Sequence, residues 1–123
     1  MTTTDPAPSK VASVVAGRAA TVAGVVRLDA GPFGTRSTYG SGGRVDGVTV
    51  KTGAGADPAQ VTVHIVVRFG ERIPELAETV SRAVSDALRA ELGAAGRWQV
   101  GVEVVDVVAA EAELAGDRRR ELP

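Results

Sequence analysis

Few residues in this sequence have the types and spacing that catalysis or metal binding requires. His64 is the only histidine, and the 123 residues include no cysteine, so neither a thiolate nucleophile nor a cysteine-ligated metal is available. As a general base, His64 would need a nucleophile and an orienting carboxylate nearby. The sequence identifies neither a nucleophile nor an orienting carboxylate, and its acidic residues are scattered singly. We therefore predict no catalytic residue, no metal and no cofactor, and a structural or surface role for His64.

Two glycine-rich stretches suggest phosphate binding, but their spacing does not support it. The P-loop string Gly-x-x-x-x-Gly-Lys-Ser/Thr is absent. The segment 53–58 begins like a dinucleotide fingerprint, yet it has proline where the third glycine belongs and precedes a strand instead of a helix. We interpret both stretches as flexible connections. In the longer one, 29–46, Arg36, Tyr39 and Arg44 could contact an anionic ligand or partner, although solvated loop residues are the simpler interpretation.

Charge and hydropathy limit the partners that the chain can have. The formal net charge is −1 and the pI is about 5.8, so no general attraction to nucleic acid or anionic membranes is expected. The triplet Arg118–Arg120 lies among acidic residues, which argues against a polybasic lipid anchor. No apolar run approaches the roughly 20 residues that span a bilayer. We expect a cytoplasmic protein without direct membrane insertion.

Hydrophobic periodicity defines a strand, a helix and a second strand in the C-terminal half. Alternation predicts a strand over 61–69 and another over 98–108. Between them, helical spacing places Ile73, Leu76, Val80, Val84, Ala87 and Leu88 on one stripe. Pro74 suits the first helical position, and Gly93 and Gly96 end the helix. The alternation slips at Val104–Val105, which indicates a bulge or a covered outer face.

The N-terminal half is predicted to contain less regular structure. A helix starts near Lys10 with Ser9 as its cap and ends by Gly24. A short extended piece, 25–28, precedes the mobile loop 29–46, whose only large apolar residues are Phe33 and Tyr39. A strand over 47–52 then pairs with 61–69 as an antiparallel hairpin.

Together these elements predict a two-layer α/β (α+β) domain. Its sheet is small, mixed and three- to four-stranded, with the helices packed on one face and the last two strands parallel. We expect this domain to cover 10–108, with a disordered tail over 1–9 and a charged tail over 109–123.

Four segments in this order resemble the alkaline shock protein family, the cell-envelope stress proteins of Gram-positive bacteria. They are VASVVAGRAATVAGVVRL, TYGSGGRVDGVTV, VTVHIVVRFGERIPELAETVSRAV and VGVEVVDVV. The third is the most specific, with a strand ending in aromatic-Gly, a short gap and Ile-Pro-Glu. Where family members usually have Pro-Gly-Val after the first helix, this chain has Ala23-Gly24-Val25. The resemblance implies a non-enzymatic protein of envelope homeostasis, associated with the membrane only through a membrane-anchored partner.

The sheet face away from the helices is the candidate docking surface, for a protein partner or a second copy in a homo-oligomer. The residues predicted for this face are Lys51, His64, Val66, Arg68, Glu103 and Val105, together with Thr49, Thr62 and Val107. One alternative is a nucleic-acid-binding domain that resembles KH-type domains, with 31–34 as its Gly-x-x-Gly clamp. That segment has no predicted helix pair around it. A hydrolase that uses His64 is the least favoured alternative.

Overall fold

The computed structural model describes residues 7–40, 43–51, 58–93 and 98–109. The described helices and strands are α1 (Pro8–Ala19), β1 (Val25–Leu28), β2 (Ser37–Gly40), β3 (Gly43–Asp46), β4 (Val48–Lys51), β5 (Ala59–Arg68), α2 (Ile73–Leu92) and β6 (Trp98–Val108). The predictions for Gly96, for the turn at 53–57 and for most of both tails lie outside these residues.

Strand β5 is the centre of a four-stranded mixed sheet. β6 runs parallel to it along one edge, from Ala59↔Trp98 to Arg68↔Val108. β4 and β1 pair antiparallel with successive parts of β5, so they follow one another along its opposite edge. The mixed sheet, the β4–β5 hairpin and the parallel crossover through α2 are therefore confirmed.

The chain leaves this edge after β1 and returns to it before β4, and residues 29–47 form what we call the excursion. Its two ends meet at the backbone of His64. The Asp29 N–H donates to the His64 carbonyl oxygen at 2.9 Å, and the His64 N–H donates to the Gly47 carbonyl oxygen at 2.8 Å. Gly47 has φ 82°, and a Cβ there would collide with Leu28, so glycine is required at this turn.

The prediction of a mobile loop over 29–46 was wrong. The excursion contains a 3₁₀ turn at Pro32–Gly34 and a two-stranded ladder between β2 and β3. The Thr38 hydroxyl is buried and donates to the Val48 carbonyl oxygen at 2.6 Å, which fastens the ladder to β4. The sequence prediction missed this pairing because the segment is rich in glycine and serine and its two short strands show little hydrophobic alternation. Phe33 and Tyr39 are exposed.

Both helices pack on one face of the sheet, as predicted, and close the core there. The buried core residues are Val11, Ala12, Val15, Ala19, Val48, Val61, Val63, Ile65, Val67, Leu76, Val80, Val84 and Leu88. The helical stripe is confirmed for its buried members, but Ile73, at the first position of α2, is 38% exposed. Trp98 packs against the core from the start of β6, as expected.

The helix ends differ from the sequence prediction in three places. α1 begins at Pro8, whose fixed φ suits the first turn, and Ser9 makes no capping hydrogen bond. α1 also stops at Ala19, before the predicted Gly24. α2 begins one residue before Pro74 and ends at Gly93 in the left-handed conformation, so the predicted stop there is confirmed.

The predicted irregularity in the last strand is a β-bulge. Ile65 pairs with Val104, whereas Val66 pairs with Asp106, so Val105 is the extra residue. Beyond the bulge, Val107 pairs with Val67, a core residue on the helix side. Val107 therefore does not lie on the face away from the helices, where the unbroken alternation had placed it.

Candidate functional site on the open sheet face

The sheet face away from the helices, here called the open face, displays a line of polar side chains. Its polar members are Thr49 and Lys51 on β4, Thr62, His64 and Arg68 on β5, and Glu103 on β6, and the apolar Val66 lies among them on β5. Antiparallel pairing sets Thr49 opposite Thr62, and parallel pairing sets His64 opposite Glu103. Strand pairing thus brings together side chains that are far apart in sequence.

His64 is buried on this face and uses both ring nitrogens. Its side chain has 9% relative exposure, with Nδ1 3.2 Å from Glu103 Oε1 and Nε2 3.1 Å from Thr49 Oγ1. Because a carboxylate can only accept, Nδ1 carries the proton that bonds Glu103. In the neutral ring, Nε2 then accepts from the Thr49 hydroxyl. His64 is therefore a buried cross-strand residue with both ring nitrogens bonded.

Glu103 connects this histidine to the excursion. The Nε of Arg36 lies 3.5 Å from Glu103 Oε1, and its Nη1 lies 3.1 Å from Asp29 Oδ2. The Arg36 backbone is also fixed, because its N–H donates to Ala30 and its carbonyl oxygen accepts from Gly47. The resulting network of Asp29, Arg36, Thr49, His64 and Glu103 joins the excursion, β4, β5 and β6. Glu103 is half exposed, so its ion pair with Arg36 is worth only about 0–1 kcal/mol.

The order hydroxyl, imidazole, carboxylate is also that of a hydrolase triad, with Nε2 toward the hydroxyl and Nδ1 toward the acid. Sequence reasoning missed this constellation because Thr49 and Glu103 lie 15 and 39 residues from His64. The strand pairing was the signal that could have revealed it. A triad also needs N–H donors aimed at a developing oxyanion. The backbone N–H of His64 is not available as such a donor, because it already donates to the Gly47 carbonyl oxygen. Thr49 itself lies inside the β4–β5 ladder, where it pairs with Thr62.

The predicted docking residues do not form one compact cluster. His64 and Glu103 are in contact, and Val105 is the half-buried bulge residue. Val66 is fully buried, so it cannot contact a partner directly. Lys51 pairs with Gln60 near one end of β5, while Arg68 ends the strand about 26 Å away at 3.3 Å per residue.

Of the loop residues considered from the sequence, Arg36 contacts Glu103, whereas Tyr39 and Arg44 belong to the two-stranded ladder of the excursion. Arg44 is paired with Asp46, two residues further along β3, at 2.6 Å. The hydrogen bond to Asp46, then its charge, and then a hydrogen bond with Tyr39 raise the pKa of Arg44 above its ordinary value. Residues 31–34 form a turn between β1 and β2, so the Gly-x-x-Gly string does not join two helices as a KH clamp requires.

A cleft of about 380 Å³ lies elsewhere, between the α1–β1 connection and the start of α2. It is lined by Ala23, Gly70, Glu71, Arg72, Glu75, Leu76 and Thr79. It includes no residue of the His64 network. Among the residues that the structure describes, no three histidine or acidic side chains come together as metal ligands. Within the same described ranges, no helix is long and apolar enough to cross a membrane.

Comparison with known proteins gives one family. A model of the alkaline shock protein family, described as having a "cell envelope-related function", matches residues 2–109, which confirms the resemblance drawn from the sequence. No curated protein matches. Among solved structures, a variant of MamM CTD is 14% identical, with a TM-score of 0.44 over 83% of this chain and 94% of that one. MamM-CTD 215-293 is 16% identical, with a TM-score of 0.43 over 78% of this chain and 96% of that one.

Proposed function

Because the chain belongs to the alkaline shock protein family, whose function is cell envelope-related, we propose that it is a non-catalytic adaptor that acts through protein contacts on the open face. The partner is a membrane-anchored protein, and the adaptor stays on the cytoplasmic side without inserting into the bilayer. A second copy is the other protein that this face could bind. The working unit is the domain 10–108, with 1–9 and 109–123 as tails.

The observation that carries this proposal is the His64 network. Its imidazole is buried and bonded on both sides, and its partners Thr49 and Glu103 belong to the two strands that flank β5. The network instead fixes Glu103 and Arg36, whose side chains are partly exposed at fixed positions. Preorganised charges of both signs favour specificity for a partner with complementary charges.

The test uses the exposed residues of the face and a matched control. Lys51→Glu with Arg68→Glu reverses two charges on the open face, and Arg82→Glu reverses one on the outer side of α2, where Arg82 is paired with Glu78. We expect crosslinking in cells to recover a membrane-anchored partner with wild type and with the control, and at least tenfold less with the face variant. Equal recovery with all three proteins would refute the docking face, and no envelope partner at all would refute the adaptor.

The triad-like order of Thr49, His64 and Glu103 favours one second candidate, a serine-hydrolase-like activity with threonine as nucleophile. A fluorophosphonate probe tests it directly, because the probe forms a covalent bond with an activated hydroxyl. Labelling of wild type that is lost in both Thr49→Val and His64→Ala would support the hydrolase. We expect no labelling of wild type, which would favour the adaptor.

A further inference from the structure

Strand β6 forms one edge of the sheet, and its sequence lacks the features that usually protect an edge. Among the residues that the structure describes, β5 is the only strand paired with it. β6 is 11 residues long and has no proline or lysine, whereas natural edge strands tend to be short or to carry these residues. The opposite edge fits that rule, because β1 and β4 have four residues each and carry Arg27 and Lys51. β6 therefore presents a long row of backbone groups to a further strand.

The backbone groups on this outer edge belong to every second residue. His64 bonds the opposite edge of β5 through both its N–H and its carbonyl oxygen. Because successive residues of a strand point alternately to its two edges, Val63 bonds β6 instead. Val63 lies directly opposite Val102, and the bonds of a parallel ladder run to the residues before and after the direct partner. The N–H and carbonyl oxygen of Val102, and of every second residue from it within Trp98–Val104, therefore point away from β5.

Gly101 lies at the middle of the regular part of this edge. The run Trp98–Val104 is unbroken, because the extra residue of the bulge is Val105. Glycine weakens the interior of a strand, yet nothing among the described residues requires it at 101. Its φ is not positive, and a Cβ there would meet only ordinary contacts, the nearest with Thr62 Oγ1 at 3.6 Å. A glycine inside a strand often marks a place where another backbone approaches closely.

We propose that this edge binds a second copy of the chain, as an antiparallel β6–β6 pair with a two-fold axis at Gly101. The axis sets Val100 opposite the second copy's Val102, and Trp98 opposite its Val104. All four side chains are only half-buried against the core, although the β5 residues opposite the three valines are fully buried. The second copy thus covers apolar surface that β6 leaves open, and the outward backbone groups of both strands bond each other.

The polar side of the strand is self-complementary about the same axis, which assigns the edge to a second copy in preference to an unrelated strand. Gln99 faces the second copy's Glu103, so no acid faces another. The contacts of Glu103 with Arg36 and His64 both use Oε1, which leaves Oε2 to accept from the Gln99 amide. An axis at Glu103 instead sets like charges directly opposite each other, which is destabilising. The open faces of the two copies become continuous, and the pairing does not depend on the proposed function of that face.

A pair of charge substitutions at Gln99, which is exposed, tests this arrangement by sedimentation equilibrium. We expect wild type to dimerise reversibly. Gln99→Glu places an acid opposite Glu103 at two symmetric positions, so the dimer Kd should rise by about two- to thirtyfold. Gln99→Lys places a base there and should lower the Kd by a similar factor. Gln60→Glu is the matched control, because Gln60 is the β5 partner of Gln99 and lies one strand away from the edge. We expect it to change the Kd by less than about twofold.

Disulfide trapping tests the position of the axis, because the chain contains no cysteine of its own. The backbone of Gly101 points to β5, so Gly101 and its copy form a non-hydrogen-bonded pair with Cα atoms about 4.5 Å apart. Gly101→Cys should therefore give a covalent dimer in air, since a disulfide spans about 4.4–6.8 Å between Cα atoms. Gln99→Cys is the matched control. Its two copies lie about 13 Å apart along the strands, so we expect little covalent dimer.

Three results would overturn the proposal. One is a wild type that stays monomeric up to about 1 mM. Another is a Kd that Gln99→Glu leaves unchanged, and the third is equal trapping of the two cysteine variants. Circular dichroism during urea unfolding confirms that each variant is folded. Loss of the dimer would leave crosslinking of a membrane-anchored partner to the open face unaffected, so a failure here is distinguishable from a failure of the adaptor.

Discussion

Replacing Glu103 by alanine tests whether the network on the open face is a real part of the fold. The change removes the acceptor of the His64 Nδ1 proton, on a side chain with 9% relative exposure. Leaving a buried donor without a partner costs about 1–3 kcal/mol. Arg36 keeps Asp29 at 3.1 Å and is partly solvated, so the loss of its second pair adds only about 0–1 kcal/mol. The expected loss of unfolding free energy is therefore about 1–4 kcal/mol.

Urea unfolding followed by the fluorescence of Trp98, the only tryptophan, measures this loss. Glu103→Gln keeps an acceptor oxygen for the imidazole, so it should cost less than about 1 kcal/mol. Glu78→Ala is the control, because it breaks an exposed ion pair on α2 worth about 0.3–0.5 kcal/mol. The reasoning fails if Glu103→Ala costs no more than this control, or if the glutamine variant is as unstable as the alanine variant.

Three further changes test other parts of the fold by the same unfolding assay. Leu88→Ala removes a core side chain with 1% exposure and should cost about 2–5 kcal/mol; a loss below about 1 kcal/mol would contradict the packing of α2 on the sheet. Gly47→Ala forces a side chain into φ 82° and against Leu28, so it should cost more than about 1 kcal/mol and speed hydrogen exchange in 29–47. Unchanged exchange there would mean that the turn is not held as described. Phe33→Gly relieves φ 56° at a fully exposed position and should stabilise the protein by up to about 1 kcal/mol, and destabilisation would reveal an unseen contact of the ring.

The parts of the fold that were predictable are those in which hydrophobic periodicity was strong. Val61 to Val67 alternate on β5 and Leu76 to Leu88 recur at helical spacing, so the layers, the buried face and the parallel crossover followed from the sequence. The slip at Val104–Val105 indicated a bulge or a covered outer face, and the structure contains the bulge. These features depend on which side chains are buried, and the hydrophobic periodicity of the sequence indicates which ones are.

Tertiary hydrogen bonding decided the features that the sequence did not reveal. The β2–β3 ladder has little hydrophobic content, and Thr38 fastens it through a single hydroxyl. The partners of His64 come from two other strands, so no local pattern could identify them. Val66 had the alternation of a surface residue, yet it is fully buried. A polar face is thus harder to predict than a core, because its contacts depend on the register between strands.

The tandem arrangement of β1 and β4 also makes the excursion replaceable. The first and last residues of the excursion both hydrogen-bond to the backbone of His64. The distance between its two ends is therefore fixed by the sheet and does not depend on the residues between them. Lengthening a flexible loop costs only about 0.6 kcal/mol for each doubling. Foreign peptides grafted between Thr38 and Arg44 should therefore leave the strand order intact, which offers a position for epitope display or a fluorescent insert.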